Sequence, residues 1–261
     1  MIPKAYITEW SKNAPWVSNY QVEQDLIIER ALVELFSHTE LFSQLAFRGG
    51  TALHKLYLKP QARYSEDIDL VQLEAGEIGS LLTLIRERLS FLGKANYNLS
   101  AHNATLIFRF ESEYEPVVRL KLKVEINTRE HFNVFNTLDI EHNLVSTYHS
   151  GNCIIKTYTV EELLGTKLRA LYQRKKGRDL FDLWYANEKA KPDPKKIIEA
   201  FTKYISKENL SITSNDFIDN MEDKIKDKEF IGDISGLLRP GINYNISVAW
   251  EYLKNSILSN I

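Results

Sequence analysis

The sequence predicts an α+β fold in which an N-terminal domain of mixed helices and strands precedes a helical C-terminal domain. Three observations lead to this prediction. Apolar residues recur at helical spacing over residues 22–46 and again over residues 77–92. Residues 97–110 have the composition of a strand, and residues 117–127 alternate apolar and polar side chains as a half-buried strand does. From residue 158 onward the pattern is helical to the end of the chain.

The shorter N-terminal elements follow from turn residues and stop signals. The helix over residues 22–46 is followed by a turn over residues 47–51, which contains two glycines. A short helix is predicted over residues 52–58, and it stops before Pro60 because proline disfavours helical backbone in the residue before it. Residues 64–72 are predicted to form a strand in which apolar and acidic side chains alternate.

The C-terminal part begins with a helix start signal. Residues 159–162 have the pattern of a capping box, in which a threonine and a glutamate satisfy the first backbone N–H groups of a helix. That helix is predicted to run to about Arg174, and a second helix begins near Asp179. The predicted domains are therefore residues 1–157 and residues 158–261.

Composition excludes several classes of protein. The 261 residues carry 33 basic and 35 acidic side chains, a net charge of -2, which excludes a globally basic nucleic-acid coat but allows a local basic patch. Cys153 is the single cysteine, so an internal disulfide, a cysteine zinc site and a CxxC redox pair are excluded. The N-terminus lacks an apolar signal region, and no apolar run reaches the roughly 20 residues of a membrane span. We expect a cytoplasmic protein without a membrane partner.

Two aspartates on the strand over residues 64–72 form the first candidate site. Asp67 and Asp69 are two positions apart, so both carboxylates project from one face of the strand, about 6.6 Å apart along it. Carboxylate oxygens are the ligands that Mg²⁺ prefers, so the pair is a candidate metal site. The same pattern also fits the polar face of a half-exposed strand.

A third carboxylate lies on the polar face of the strand over residues 117–127. Glu125 shares this face with Arg119, Lys121 and Lys123. Glu125 is therefore a candidate third metal ligand among phosphate-binding cations. The alternative is a solvated outer face with cross-strand ion pairs, which contribute little to stability.

Gly49, Gly50 and Thr51 lie before a short helix and form a candidate phosphate-binding turn. Glycines allow backbone N–H groups to approach an anion closely, and the N-terminus of a helix favours phosphate. A tight turn without a ligand explains the same residues.

Lys167 projects from an apolar stripe of its predicted helix, next to Leu163, Leu164, Ala170 and Leu171. The lysine either extends to the edge of that stripe or reaches a buried anion, for which a triphosphate is suitable.

The basic loop over residues 174–178 precedes two further acids. Asp179 has the position of a helix-capping or first-turn acid, and Asp182 follows on the same side one turn later. The segment is either a capped helix after a solvated loop or a phosphate- or RNA-facing loop with acids nearby.

The order of these motifs, rather than any one of them, resembles a known family. The segments that carry the resemblance are FRGGTAL at residues 47–53, RYSEDIDL at residues 63–70, Lys167, and RDLFDL at residues 178–183. They resemble the AbiEii/AbiGii-type nucleotidyltransferase toxins, which include the MenT toxins and belong to the DNA polymerase β-like nucleotidyltransferase superfamily. The resemblance covers roughly residues 20–190, and it implies a nucleotidyltransferase-like mixed sheet flanked by helices.

The resemblance also implies roles for the candidate residues. Asp67, Asp69 and Glu125 would bind two Mg²⁺ ions. Lys167 and Asp179 match catalytic positions of the family, where the lysine would hold the phosphates and the aspartate would position the lysine or the acceptor. Binding of the nucleoside triphosphate (NTP) substrate is implied for Arg48, Gly49, Gly50, Thr51, Arg63, Ser65 and Asp182.

The implied function is that of a toxin in a bacterial toxin–antitoxin or phage-defence system. A magnesium-dependent enzyme of this kind would transfer a nucleoside monophosphate from NTP to the 3′ end of tRNA, release pyrophosphate and block translation. A cognate antitoxin would be its partner. Two alternatives stay open: transfer to a protein or small-molecule acceptor, and a non-catalytic module that binds nucleotide or RNA.

Overall fold

The computed structural model describes residues 2–14 and 16–261, which form two compact units. The first unit runs to Leu56 and continues over Arg63–Asn133 and Thr137–Tyr158. The second unit comprises Thr159–Ile261 together with two short segments from earlier in the chain, Tyr57–Ala62 and Val134–Asn136.

The first unit contains a seven-stranded mixed sheet. Its strands are β1 (Leu45–Arg48), β2 (Asp67–Gln72), β3 (Ala95–Leu99), β4 (Asn103–Glu111), β5 (Arg119–Asn127), β6 (Leu138–Leu144) and β7 (Gly151–Thr157). They lie in the order β3-β4-β5-β2-β1-β7-β6. Strand β2 is parallel to β5 and β1 is parallel to β7, whereas all other neighbours are antiparallel.

Helices accompany this sheet in the first unit. They are α1 (Lys4–Trp10), α2 (Asn19–Phe36), α3 (Thr39–Gln44), α4 (Gly49–Ala52) and α5 (Gly79–Arg88). A π-helical turn over Leu53–Tyr57 continues α4, and a 3₁₀ turn over Ser90–Leu92 follows α5. The mixed sheet with its helices confirms the predicted fold class.

One face of the sheet is apolar and the other is polar. The apolar face includes Leu106, Phe108, Leu122, Val124 and Ile126, all fully buried, and α2 packs against the sheet. Alternation along each strand therefore places the charged residues of β2 and β5 together on the opposite face.

The predicted single helix over residues 22–46 is wrong. Helix α2 ends at Phe36, and Ser37 follows with its hydroxyl donating to the Val33 carbonyl oxygen at 2.6 Å. A separate helix, α3, follows, and Leu45–Arg48 is the buried strand β1. A short apolar run cannot be distinguished from a helix segment by periodicity alone, which explains the error.

The remaining differences concern strands. The predicted strand over residues 97–110 is a hairpin of β3 and β4, which turns where the Ser100 N–H donates to the Asn103 carbonyl oxygen at 2.9 Å. Strands β6 and β7 were not predicted. Only two of the seven residues of β6 are buried, so apolar patterning marks it weakly.

The second unit is helical, as predicted for the C-terminal part. Its helices are α6 (Val160–Gln173), α7 (Gly177–Ala190), α8 (Pro194–Ser206), α9 (Ser214–Lys224), α10 (Lys228–Gly232) and α11 (Ile246–Tyr252). A π-helical turn over Leu253–Ile257 and a 3₁₀ turn over Leu258–Asn260 complete it. Across the described part of the chain, none of the helices combines the length and apolarity needed to cross a bilayer.

The start of α6 shows one half of the predicted capping box. The Thr159 hydroxyl accepts from the Glu162 N–H at 3.3 Å. The Glu162 carboxylate instead accepts from the N–H groups of Val134 and Phe135 and from the Tyr204 hydroxyl, at 2.8–2.9 Å. Glu162 therefore fixes the 134–136 segment within the second unit.

Candidate active site

The sheet brings three of the predicted carboxylates together. Asp67 and Asp69 are the first and third residues of β2, and Glu125 lies on the adjacent parallel strand β5. In the register of the two strands, Asp69 is paired with Glu125 and Asp67 is paired with Lys123. All four side chains therefore project from the polar face. The two members of each pair are direct neighbours across the strands, and the two pairs are two residues apart along them.

Lys123 occupies the space between two of these carboxylates. Its Nζ lies 3.4 Å from Oδ2 of Asp67 and 3.0 Å from Oε2 of Glu125. Burial lowers the pKa of Lys123, but the two carboxylates outweigh burial and raise the pKa above its ordinary value. Burial also raises the pKa of Asp67, and here the opposing effect of Lys123 is too small to cancel it.

The donor chemistry at Asp67 and Asp69 fits a divalent cation. Asp67 Oδ1 is buried, and no donor in the described part of the chain hydrogen-bonds to it. An unsatisfied buried carboxylate oxygen is costly, and a hard cation would satisfy it. Over residues 2–14 and 16–261, no group of three or more acidic, histidine or cysteine side chains is arranged as a metal cluster. Glu125, which is bound by Lys123, therefore stays a predicted ligand.

The glycine turn lies on the other side of β2 from β5. Strand β1 ends at Arg48, which is paired with Asp69, and α4 begins at Gly49. Gly49 has a φ of +80°, and a Cβ at this position would overlap the Asp69 carboxylate. The Thr51 hydroxyl lies 2.5 Å from the Asp67 carbonyl oxygen, to which it donates. The predicted phosphate-binding turn is therefore in direct contact with the aspartate pair.

Ser65 joins this contact from the loop before β2. Its hydroxyl oxygen lies 2.6 Å from that of Thr51. The two residues are 14 positions apart in sequence, so this hydrogen bond connects the turn after β1 to the loop before β2.

Gly49→Ala is expected to impair the site more than the fold. The left-handed backbone costs an alanine about 1–2 kcal/mol of folding free energy. The added methyl group must also displace the Asp69 carboxylate, and misplacing a reacting group by about 1 Å typically costs 10²-fold in rate. Transfer rate and thermal unfolding measured together test this expectation.

Gly79→Ala is the matched control. Gly79 begins α5, has no atom near the position of an added Cβ, and lacks the left-handed φ. This variant should keep full activity and unchanged or slightly higher stability. Equal activity in the two variants would contradict the contact between Gly49 and Asp69.

Two predicted nucleotide-binding arginines have protein partners. Arg48 Nη1 lies 2.5 Å from Oε2 of Glu130. Burial lowers the pKa of Arg48, but Glu130 outweighs it and the net pKa is raised, so the charge is retained. Arg63 is almost fully buried and donates from Nη1 to the Tyr64 carbonyl oxygen at 3.1 Å. Their contact with nucleotide stays a prediction.

In the second unit, Lys167 lies in a cluster of buried charges. Its Nζ is 3.0 Å from Oδ1 of Asp179 and 3.1 Å from Oδ2 of Asp182, and both aspartates are fully buried. Arg174 adds two hydrogen bonds to Asp179, at 2.7 Å and 2.9 Å. Burial raises the pKa of Asp179, but Lys167 and Arg174 outweigh it and hold the pKa below its ordinary value. Lys167 is therefore held by two aspartates of its own unit, and its contact with a triphosphate stays a prediction.

The basic loop that precedes α7 is also ion-paired. Lys175 Nζ lies 2.7 Å from Oδ2 of Asp227, and Lys176 Nζ lies 3.4 Å from Oδ1 of Asp233. Both lysine side chains are about half exposed. Such pairs contribute little to stability, and they reduce the positive charge that this loop offers to an anion.

A comparison with known families decides the identity. The family described as "Nucleotidyl transferase AbiEii toxin, Type IV TA system" matches residues 30–251, which is most of the chain. The chain belongs to the AbiEii family. It is therefore a nucleotidyltransferase toxin of a type IV toxin–antitoxin system, which confirms the predicted family.

Solved structures show the same fold as this AbiEii-family chain. MenT4, a nucleotidyltransferase toxin from Mycobacterium tuberculosis, matches with a TM-score of 0.62 and 16% identity over 100% of this chain and 91% of that chain. JHP933 from Helicobacter pylori matches with a TM-score of 0.55 and 19% identity over 90% of this chain and 89% of that chain. No curated protein sequence gives a significant match.

Sequence reasoning missed the partners of several site residues. The Thr51–Ser65 contact, the position of Lys123 between two acids, and the Arg48–Glu130 pair were not predicted. Each depends on which strands are neighbours and in what register. Alternation along one strand predicts a face but does not identify the residues opposite it.

Proposed function

We propose that this AbiEii-family toxin transfers a nucleoside monophosphate from NTP to the 3′ end of tRNA and thereby blocks translation. The observation that carries the proposal is the aspartate pair beside the glycine turn. Asp69 lies against Gly49, and Thr51 is hydrogen-bonded to the backbone of Asp67. A metal-binding pair and a phosphate-binding turn in contact are what transfer of a nucleotidyl group requires.

The proposed reaction is a displacement at the α-phosphorus of NTP. The acceptor 3′-hydroxyl oxygen forms a bond to the α-phosphorus of NTP, the bond from that phosphorus to the bridging oxygen breaks, and pyrophosphate leaves. The hydroxyl proton passes to solvent or to a carboxylate of the site. Two bound Mg²⁺ ions would neutralise phosphate charge and lower the pKa of the hydroxyl. Asp67 and Asp69 would hold them, with Glu125 as the third proposed ligand.

The chain's other residues would bind and orient the nucleotide. Backbone N–H groups at Gly49 and Gly50 would donate to the triphosphate, since a Cβ-free turn lets it approach closely. We also propose, from the family resemblance, that Lys167 and Asp179 take part in catalysis. Reduced transfer by a folded Lys167→Gln variant would support that role.

A labelling assay tests the proposal. Each α-³²P-labelled NTP is incubated with Mg²⁺, total bacterial tRNA and the full chain, beside an Asp69→Asn variant. We expect label in tRNA from one preferred NTP, no label without Mg²⁺, and none with the variant. Label found only in protein or in a small molecule would show that the acceptor is not tRNA. No label in any fraction would favour a non-catalytic binding module.

The family also implies a cognate antitoxin. We propose that an antitoxin encoded with this chain prevents its toxicity in the cell. Co-expression of the neighbouring gene with the toxin should restore growth, and the Asp69→Asn variant should be harmless without it.

A further inference from the structure

A notch in the sheet lies beside Asp67. Strand β2 begins at Asp67, opposite Lys123, whereas β5 begins four residues earlier, at Arg119. The first part of β5 therefore has β4 on one side and no strand on the other. A cavity of about 630 Å³ opens there, and Glu66, the residue before Asp67, is part of its wall. Its volume falls in the range of small-molecule and nucleotide sites.

The notch has an apolar part and a cationic part. Phe110 and Leu120, a cross-strand pair of β4 and β5, provide apolar surface where the apolar face of the sheet reaches the free edge of β5. Arg109, Arg119 and Lys121 provide exposed positive charge. The wall also includes the carboxylates of Glu66 and Glu111.

Two of the three cations, Arg109 and Lys121, lie next to each other without a carboxylate opposite them. Arg109 and Lys121 are directly opposite each other on β4 and β5, an arrangement that is destabilising for like charges. Among the described residues, no carboxylate lies within ion-pair distance of Arg109, Arg119 or Lys121. Arg119 is opposite Glu111, whereas the opposed pair of Arg109 and Lys121 indicates an anionic ligand.

Gln24 of α2 closes one wall of the notch and fixes the free edge of β5. Its side chain is almost fully buried at the notch, where Nε2 donates to the carbonyl oxygens of Glu66 at 3.2 Å and Lys121 at 3.0 Å. These two bonds fix which end of the amide is the oxygen. That oxygen, Oε1, is buried and receives no hydrogen bond from any described residue.

The sheet order places the notch opposite the nucleotide side. Strand β2 lies between β1, which leads to the Gly49 turn, and β5, which carries the notch. The two substrates of a transfer reaction must approach the aspartate pair from different directions. If the triphosphate is bound at the glycine turn, the acceptor approaches from β5. Lys121 is two positions from Lys123, the partner of Asp67, so the notch begins about 6.6 Å along the strand from Asp67.

We propose that this notch binds the 3′-terminal nucleotides of a single-stranded RNA acceptor. The nucleotide lies across the free edge of β5, with the base against Phe110 and Leu120 and the phosphates against Arg109, Arg119 and Lys121 on the polar face. This inference rests on the proposed function, because it assigns one side of that site to the acceptor. Single-stranded RNA is the fitting class since it offers both an exposed base and a charged backbone.

The test is RNA binding by the full chain, independent of catalysis. The probe is a short single-stranded RNA ending in CCA with a fluorescent 5′ label, and its affinity is measured by anisotropy over a range of salt concentrations. An Arg109→Gln/Lys121→Gln variant is compared with a Lys12→Gln/Lys94→Gln variant. All four positions are exposed residues of the first unit, so the two variants have the same net charge.

We expect the notch variant to bind the probe about tenfold more weakly and the control to bind like the unmodified chain. The slope of log affinity against log salt should fall by about 1.4 in the notch variant, since each lost single-strand phosphate contact removes about 0.7. The KM for NTP should not change. Equal loss in both variants, or a raised KM for NTP with unchanged RNA affinity, would overturn the inference.

The design separates this inference from the proposed function. If RNA is labelled and the notch variant has an unchanged KM for RNA, the notch inference fails and the transferase proposal stands. If RNA is never labelled but binding depends on Arg109 and Lys121, the notch stands as an RNA site and the transferase proposal fails.

Discussion

Replacing Asp69 with asparagine is expected to lower nucleotidyl transfer by about a thousandfold or more, which corresponds to several kcal/mol of lost transition-state stabilisation. Asn keeps the shape of the side chain and removes its charge. Asp69 is held on the β1 side, where Arg48 is its neighbour in the strand register and Gly49 packs against its carboxylate. The measurement is the initial rate of label incorporation into the acceptor.

Asp139→Asn is the matched control for this change. Asp139 is a half-exposed carboxylate of β6 in the same unit, paired with Lys156 at 2.7 Å. Its loss should leave activity unchanged and alter stability by less than about 1 kcal/mol. A folded Asp69→Asn chain that transfers nucleotide at the original rate would exclude the aspartate pair as the metal site.

Much of this site could be predicted because its key residues are adjacent in sequence. The alternation Asp67-Ile68-Asp69 places both acids on one face whichever strands are neighbours, and Ile68 is fully buried as that pattern requires. The same reasoning applies to the Gly49 turn, where the sequence gives both the glycine and the helix that follows.

The remainder depends on pairing that no local pattern encodes. The parallel register of β2 and β5 determines that Lys123, rather than Lys121, is the residue opposite Asp67. The first half of strand β1 was taken for the end of a helix and the second half for a turn, because four residues, three of them buried, carry no readable period. The notch exists because β2 begins opposite the fifth residue of β5. This offset depends on how the two strands pair, so neither strand's sequence alone predicts it.

A buried ionic cluster in the first unit is a second feature that the sequence did not reveal. Lys55, in the π-helical turn after α4, is almost fully buried. Its Nζ lies 3.1 Å from Oδ2 of Asp25 and 2.7 Å from Oε1 of Glu29, both on α2. Trp10 donates to Asp25 at 3.0 Å, and Nε2 of His142 lies 2.7 Å from Glu29. Lys55 therefore fixes the segment that carries the glycine turn to the longest helix of the unit.

Lys55→Met is expected to destabilise the first unit by about 3–5 kcal/mol, because it leaves two buried carboxylates without their shared cation. Methionine fills most of the volume, so the loss is electrostatic rather than a cavity effect. Chemical denaturation at neutral pH gives the free energy of unfolding. Lys94→Met is the control: Lys94 is exposed in the loop before β3, and its replacement should change the free energy of unfolding by less than about 0.5 kcal/mol.

The pH dependence distinguishes electrostatic from packing loss. Burial alone would raise the pKa of Glu29, but Lys55 and His142 outweigh it and lower the pKa to about 2 from 4.5. A lowered pKa means that the carboxylate stabilises the fold above pH 4.5, and that this contribution disappears as the pH falls toward 2. Lys55→Met removes the main cause of the shift, so the variant has less of this contribution to lose. The difference in unfolding free energy between the two chains should therefore shrink across that window, whereas a constant difference would mean that Lys55 acts through packing alone.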